Sequence, residues 1–310
     1  MTFHVSVCIV GFRNAGEVTA CVGALAQSDY ADYDVIVCEN GGPAGLADLQ
    51  AHLPAMLPGG QRIEGLLGEG NPGYAASVNQ AIRARPDADA WWIINPDTIA
   101  WPNALDELVT RLRQGDVQAV GGQLVYPDGS LQSAGGHWRA AFARAISIGK
   151  YGTSNDLPDD GTIEGQLDYL LGASMLVSRE FVERNGLMRE DYFLYGEEIE
   201  WCLRAARRGL RIGFARGAMV VHRQGGTTGS DAPLHLRPRL PVYLDERNKL
   251  HIVRDTTPLL FPLALISTPV LSFLRYGARG AWKQWGFALA GWRDAVRGLR
   301  GKPRWLSDQV

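Results

Sequence analysis

The sequence lacks a large charge of either sign: 31 Lys and Arg stand against 33 Asp and Glu, a formal net charge of -2 over 310 residues. A nucleic-acid-binding domain normally carries a strong basic excess, so that class is excluded. It also lacks a C-x-x-C pair. Its four cysteines stand apart at positions 8, 21, 38 and 202, and Cys8 and Cys38 fall inside apolar runs, where a free thiol packs as a small hydrophobe. That usage fits a reducing compartment. No positively charged segment or small-residue cleavage site surrounds Val5–Val10, which reads as a first strand and not as a signal peptide. The expected location is therefore the cytoplasm. No internal repeat and no low-complexity segment is evident. The uncharged run Pro258–Leu274 is 17 residues long and contains Pro258, Pro262 and Pro269. A straight spanning helix needs about 20 apolar residues, and three prolines disfavour that reading.

What remains is ordinary globular material, 46% hydrophobic and 21% charged, enough for a sizeable core. Through the first half, short β-type runs alternate with helical patterns. Strands are expected at Val5–Val10, Asp34–Cys38, Arg62–Leu66, Trp91–Ile94 and Val117–Val120. Helices are expected at Glu17–Gln27, Leu46–Leu53, Tyr74–Arg83 and Pro102–Arg113, the last opening with a proline in its first turn. The alternation predicts βαβ units in an α/β fold, a mostly parallel sheet flanked by helices. Ligands of such sheets sit outside the carboxyl ends of the strands, here Gly11–Asn14, Glu39–Gly42, Glu69–Gly73 and Asn95–Asp97.

The second half is less regular. Tyr126-Pro127-Asp128-Gly129 is a turn signal, and Trp138–Gly165 has weak periodicity around a polar loop, Thr153–Gly161. Glu198–Arg208 reads as a helix stopped by Gly209, followed by short strands Arg211–Phe214 and Ala218–Val221. From Leu271 onward, Arg275, Arg279, Lys283, Arg293, Arg297, Arg300, Lys302 and Arg304 face only Asp294 and Asp308, so the tail is basic. Trp282, Trp285, Leu289, Trp292, Val296 and Leu299 recur at spacings of three and four, an apolar helical stripe with Lys283, Arg293, Arg297 and Arg300 off it. Tryptophan beside arginine suits a helix lying in a membrane interface; packing on the domain is the alternative.

Four segments could carry chemistry. Asp97 follows the strand Trp91–Ile94 through Asn95-Pro96. One carboxylate there suits Mg²⁺, which commonly takes one or two protein carboxylates plus substrate phosphates; the alternative is a cap for the next helix. His222 ends a strand and precedes Arg223-Gln224-Gly225-Gly226-Thr227-Thr228-Gly229, whose backbone N–H groups suit phosphate oxygens. Glu197, Glu198 and Glu200 sit at a helix start, where the dipole favours acids. Adjacent carboxylates also raise one another's pKa and make a usable base. Gly68-Glu69-Gly70-Asn71-Pro72-Gly73 matches G-x-G-x-x-G in form, but it does not follow the first strand and Pro72 removes an N–H.

In order, Val5–Asn14, Val35–Gly41, Asn71-Pro72-Gly73-Tyr74-Ala75, Asn79, Asn95-Pro96-Asp97, Asp128-Gly129, Gly172–Met175, Phe193–Glu198, Arg204 and His222 form a pattern. It resembles glycosyltransferase family 2, of GT-A fold, and in particular the bacterial rhamnosyltransferase-like branch. The resemblance runs to about Lys249. It implies a catalytic domain over residues 1–253 and a helical, basic, membrane-associating extension over 254–310. It further implies that Phe12, Asn14, Glu39, Asn71, Gly73, Asn79, Asn95 and Asp97 hold a nucleotide sugar, that Asp97 and His222 hold Mg²⁺ or Mn²⁺, and that Glu198, or its neighbour Glu197, is the base. The implied reaction inverts the sugar, with dTDP-L-rhamnose the branch's donor and a saccharide or polyprenyl-diphosphate-linked acceptor, at the inner face of the cytoplasmic membrane in polysaccharide synthesis. Three positions depart from the family pattern: Asn95 replaces the first acid of D-x-D, Glu39 an Asp, and Glu198 an Asp. The competing expectations are an NAD-dependent oxidoreductase using Gly68–Gly73 and an inactive binding protein of the same fold.

Overall fold

Strand residues of both parities are apolar, and the sheet they form is buried on both faces. In the computed structural model, which describes residues 3–223 and 228–306, β1 (Val5–Gly11), β2 (Tyr33–Glu39), β3 (Ile63–Leu67) and β4 (Ala90–Ile94) run parallel in the order β3-β2-β1-β4. Val7, Ile9, Val35, Val37, Trp92 and Ile94 pack on one side; Cys8, Ile36, Cys38, Trp91 and Ile93 pack on the other. Each such side chain, fully buried, contributes roughly 1.5–3 kcal/mol. The first side is covered by α1 (Ala15–Leu25), α2 (Gly42–His52) and, further along the chain, α4 (Ala104–Leu112). The second is covered first by α3 (Tyr74–Ala84).

A short β5 (Thr98–Ala100) separates Asp97 from α4, whose N-cap is Asn103. Beyond α4 the sheet becomes mixed. Strand β6 (Ala119–Val125) turns through Asp128-Gly129 into β7 (Leu131–Ser133), and β8 (Gly136–Arg139) with β9 (Arg144–Ser147) forms a separate hairpin in the region that the sequence left without periodicity. Helix α5 (Asp160–Gln166) begins inside the expected polar loop, capped by Asp159. Strand β10 (Ser174–Ser178) lies antiparallel between β4 and β6 and leads into α6 (Arg179–Asn185), also unexpected. Helix α7 (Glu197–Arg207) ends at Gly209, with φ +72, as the sequence indicates. The two short strands expected after it are one strand, β11 (Ile212–His222), interrupted by a register shift between Phe214 and Met219. It is parallel to β6 and antiparallel to β5.

Helix α8 (Arg239–Thr256) crosses the boundary expected at 253/254, and α9 (Phe261–Arg275) and α10 (Trp282–Val296) pack against it. The helical stretch Pro258–Arg279 continues through Pro269 and is long and apolar enough to cross a bilayer. Its inner face, Ala264, Thr268 and Ser272, is buried; Leu259, Leu263, Ile266, Val270 and Leu274 face outward, with Leu259 94% exposed. In α10 the buried face is Gln284, Ala288, Gly291 and Ala295 rather than the tryptophan stripe. The reason is a close approach: a Cβ on Gly291 would lie 2.3 Å from the Tyr243 carbonyl oxygen. The tryptophans flank that seam, so the exposed apolar surface belongs mainly to α9.

Candidate active site

The carboxyl ends of β1 and β4, the turn before α3 and the segment entering α7 enclose a cleft of about 520 Å³. Phe12, Asn14, Asn71, Gly73, Asn95, Asp97, Glu197, Glu198 and His222 all line it. Residues as far apart in the chain as Phe12 and His222 therefore meet where an open α/β sheet places its ligands.

Strand pairing builds one end. Opposite Thr98 in the β5–β11 ladder stands His222, and the Arg223 N–H donates to the Asp97 carbonyl at 3.1 Å. This brings His222 Nε2 to 3.3 Å from Asp97 Oδ1. The other ring nitrogen, Nδ1, is 2.7 Å from Gln132 Oε1. With the proton on Nδ1 donated to that acceptor, the Nε2 lone pair is free for a metal beside the carboxylate, the arrangement used by metal-binding histidines. Asp97 does not cap α4, so the structural alternative for it disappears. Among the described residues no group of three or more His, Cys, Asp or Glu gathers around a point. The pair therefore fits a cation that draws its remaining ligands from phosphate and water, as Mg²⁺ and Mn²⁺ do. Of the glycine-rich stretch after His222, residues 224–227 lie outside the described residues.

The other end is the start of α7. Glu197 is almost fully buried and its Oε2 meets no partner among the described residues. Burial, reinforced by the neighbouring Glu198 charge, pushes its carboxyl well above the usual range. Burial also raises Glu198, but backbone N–H groups oppose the rise, including that of Gly196, which donates to Glu198 Oε2 at 3.1 Å. Of the pair, Glu198 is the more exposed and the one with backbone donors, so it is better placed to carry negative charge than Glu197.

The positions expected to hold a nucleotide divide. Asn71 and Gly73 sit in the turn before α3 at positive φ, +50 and +93. A Cβ on Gly73 would lie 2.4 Å from the Phe193 carbonyl oxygen, and one on Gly68 1.9 Å from Asn40 Oδ1. These glycines are explained by close packing, not by a dinucleotide cradle. Glu39 does not line the cleft: its Oε1 accepts from the Arg13 and Gly41 N–H groups at 2.8 and 2.7 Å, which shapes the loop beneath it. Asn79 is also set back. Its amide is bound to both the N–H and the carbonyl of Met188 and to Glu190, so it fastens α3 to the segment before α7.

Three further residues contribute without having been singled out as site residues. Tyr74, within the Asn71–Ala75 motif, donates toward Gly172 O at 2.8 Å and Asn95 Oδ1 at 3.2 Å. Burial raises its phenol well above the usual value, with further contributions from Glu197, Glu198 and Asp97, so it lies within the field of both ends of the cleft. Gln132 fixes the His222 tautomer, and the P-D-G turn signal that folds β7 back along β6 was its only trace. Asn248 on α8, fully buried, directs Nδ2 at the carbonyls of Tyr192, Leu194 and Tyr195 at 3.0, 2.9 and 2.7 Å. It holds a segment in which Phe193, Tyr195 and Gly196 all have positive φ, directly before the two glutamates.

The family model described as "Glycosyltransferase like family 2" matches residues 4–238. A low-salt glycan biosynthesis hexosyltransferase of Haloferax volcanii is 26% identical over 183 residues, 58% of this chain and 56% of that protein. An N-acetylglucosaminyl-diphospho-decaprenol L-rhamnosyltransferase of Mycobacterium tuberculosis is 26% identical over 185 residues, 54% of this chain and 60% of its own. The chain thus spans little more than half the length of these curated relatives. Among solved structures, a mannosyltransferase from Pyrobaculum calidifontis with GDP-Man and Mn²⁺ has TM-score 0.54 and 15% identity, covering 94% of this chain and 87% of that one. S. aureus TarS 1–349 with UDP-GlcNAc has TM-score 0.56 and 14% identity, covering 94% and 81%. At these identities the likeness concerns the fold, which is GT-A. By the match over residues 4–238, the chain belongs to the glycosyltransferase-like family 2.

Proposed function

We propose that the chain is an inverting, divalent-metal-dependent glycosyltransferase, moving a hexosyl group from a nucleotide diphosphate sugar to a saccharide carried on a polyprenyl diphosphate. The carrying observation is the single cleft with Asp97 beside His222 and with Glu197 and Glu198 at the start of α7. Asp97 and His222 Nε2 would hold Mg²⁺ or Mn²⁺, which when bound neutralises charge on the departing diphosphate. With only two protein ligands, the ion binds weakly until the donor diphosphate is present. Glu198, the more exposed of the two glutamates, takes the proton from an acceptor hydroxyl. That oxygen then attacks the anomeric carbon from the face opposite the leaving nucleotide. Tyr74 keeps Asn95 turned toward the donor side.

The donor favoured is dTDP-L-rhamnose, supported by the branch pattern and by the M. tuberculosis relative named as a rhamnosyltransferase. Residues 254–310 act as a peripheral membrane-facing extension at the inner face of the cytoplasmic membrane. The outward α9 stripe supports this, with Lys283 exposed at the start of α10 to meet anionic headgroups.

A panel of nucleotide sugars with Mn²⁺, read first by thermal shift and then by product formation, tests the reading. Glu198→Gln should lower turnover by about 10²–10⁴-fold with nucleotide binding kept, and Asp97→Ala should abolish metal-dependent nucleotide binding. Near-full activity of Glu198→Gln sinks the base assignment; nucleotide binding without turnover on any donor favours an inactive binding protein. Removing the whole tail would uncover α8, so the membrane part is tested by Ile266→Glu/Val270→Glu in flotation with anionic vesicles. Undiminished flotation of that variant refutes it.

A further inference from the structure

A second cavity, of about 660 Å³, opens between α8, α9 and the β8–β9 hairpin. Lys150 lines both this cavity and the cleft, so the two adjoin. On the α8 wall, Lys249 Nζ lies 2.8 Å from Asp245 Oδ2 and 2.9 Å from Glu246 Oε1, and Arg275 Nη1 of α9 lies 3.3 Å from Asp245 Oδ2. The two acids are therefore matched by two cations. Arg144, Lys150 and Arg279 also line the cavity, and none of the three has an ion-pair partner among the described residues. Five cations thus face two carboxylates, in a chain whose net charge is -2. Like charges gathered in a walled cavity repel one another and raise the local concentration of anions.

The wall that α9 contributes is amphipathic in a specific sense. Thr268, Ser272 and Arg275, with Arg279 in the turn just past the helix end, line the cavity, and the exposed apolar stripe runs down the opposite side of α9. Leu274 belongs to both, lining the cavity while half exposed. A ligand with an anionic head and a hydrocarbon tail could therefore rest its head among the cations and leave over Leu274 along the outer stripe. Charge complementarity and the continuity of apolar surface each point to the same occupant.

We infer that this cavity binds the phosphate or diphosphate head of the lipid-linked acceptor, with its saccharide passing Lys150 toward Glu198 and its chain running along α9 into the bilayer. The inference rests on the lipid-linked acceptor proposed above, and it adds the site and the cations that recognise it. Arginine and lysine suit this task through charge-assisted hydrogen bonds to phosphate oxygens.

The test uses the full-length protein in EDTA, so that no metal bridges a diphosphate to Asp97. Farnesyl diphosphate is titrated against the parent and against Arg144→Gln/Arg279→Gln, both exposed positions outside the cleft, with folding checked by circular dichroism. The parent should bind, the double variant at least about tenfold more weakly, and inorganic pyrophosphate much more weakly than farnesyl diphosphate. In transfer assays the double variant should raise the acceptor KM and leave the donor KM unchanged. No binding by the parent, or equal binding by the variant, overturns the site. Pyrophosphate binding as tight as farnesyl diphosphate overturns the lipid source in favour of free phosphate. Farnesyl diphosphate binding in a protein that answers to no nucleotide sugar overturns the transferase reading and leaves the anion site standing.

Discussion

Asn248→Asp exchanges an amide for a carboxylate of the same shape: it removes the Nδ2 donors and keeps the oxygen that accepts from Arg247 Nε at 2.9 Å. Three buried carbonyls, of Tyr192, Leu194 and Tyr195, lie 2.7 to 3.0 Å from that nitrogen. Its two hydrogens can make two full bonds, and each buried acceptor left without a donor costs about 1–3 kcal/mol. A loss of roughly 2–6 kcal/mol follows, which in a chain of this size lowers Tm by roughly 3–9 °C. The Tyr192 carbonyl keeps the Arg247 Nη2 and Leu194 N–H donors at 3.1 and 2.9 Å, so the loss falls on the carbonyls of Leu194 and Tyr195. Phe193 and Tyr195 hold positive φ values of +70 and +73, conformations that cost on the order of 1–3 kcal/mol each for residues with a Cβ. Freed from Asn248, the segment relaxes toward negative φ and turns the first residues of α7 away from the cleft. A displacement of about 1 Å at a base can lower turnover on the order of 10²-fold. Steady-state transfer kinetics with Mn²⁺ should therefore show kcat falling by that order. Nucleotide affinity should stay within about twofold, because Asn248 contacts neither Asp97 nor His222. Unchanged kcat together with unchanged Tm would falsify the clamp.

Gln132→Leu removes the acceptor that holds the proton on His222 Nδ1; Mn²⁺-dependent nucleotide affinity should weaken about 10–100-fold, and an unaltered titration rejects the tautomer argument. Glu197 has its pKa raised by burial and by Glu198, so its folded value exceeds its unfolded one and its contribution to stability is lost as pH rises through the folded value. Glu197→Gln should therefore gain Tm over the parent progressively as pH rises above the usual carboxylate range, whereas parallel melting curves count against it. His251 is lowered from 6.5 to about 4, first by burial and then by Arg300. The unfolded chain takes up that proton first, so stability is full above pH 6.5 and falls between 6.5 and 4, by up to about 3 kcal/mol. His251→Gln should flatten that limb in chemical denaturation, and an equally steep acid limb refutes the assignment.

The parallel half of the sheet was legible because both parities of β1, β2 and β4 are apolar, a pattern that survives without knowledge of contacts. Strands β5 and β7 were not, since three-residue strands leave no periodicity to read. Helices α5 and α6 were hidden differently: their caps, Asp159 and Ser178, were in plain view, but only two turns of helix follow each. Asp97, Glu198 and His222, selected by their order along the chain, line one cleft. Glu39 and Asn79 show the limit of that approach, since a motif position says that a residue matters and not which way its side chain points. Glu39 is turned under a loop and Asn79 toward Met188. In the tail, the tryptophan spacing was read correctly as helical, yet the small residues Ala288, Gly291 and Ala295 decided which face was buried.

The ladder that sets Thr98 opposite His222 makes the candidate metal pair a property of alignment between two segments far apart in the chain. Side chains alternate faces along a strand, so a slip of one residue in β5 would keep every helix in place and send one donor to the wrong side of the sheet. Metal binding at the proposed pair would therefore report correct assembly of the mixed half of the molecule. During refolding, recovery of metal-dependent nucleotide binding should trail recovery of helical circular dichroism, and the interval between them measures how long β5 and β11 take to find their register.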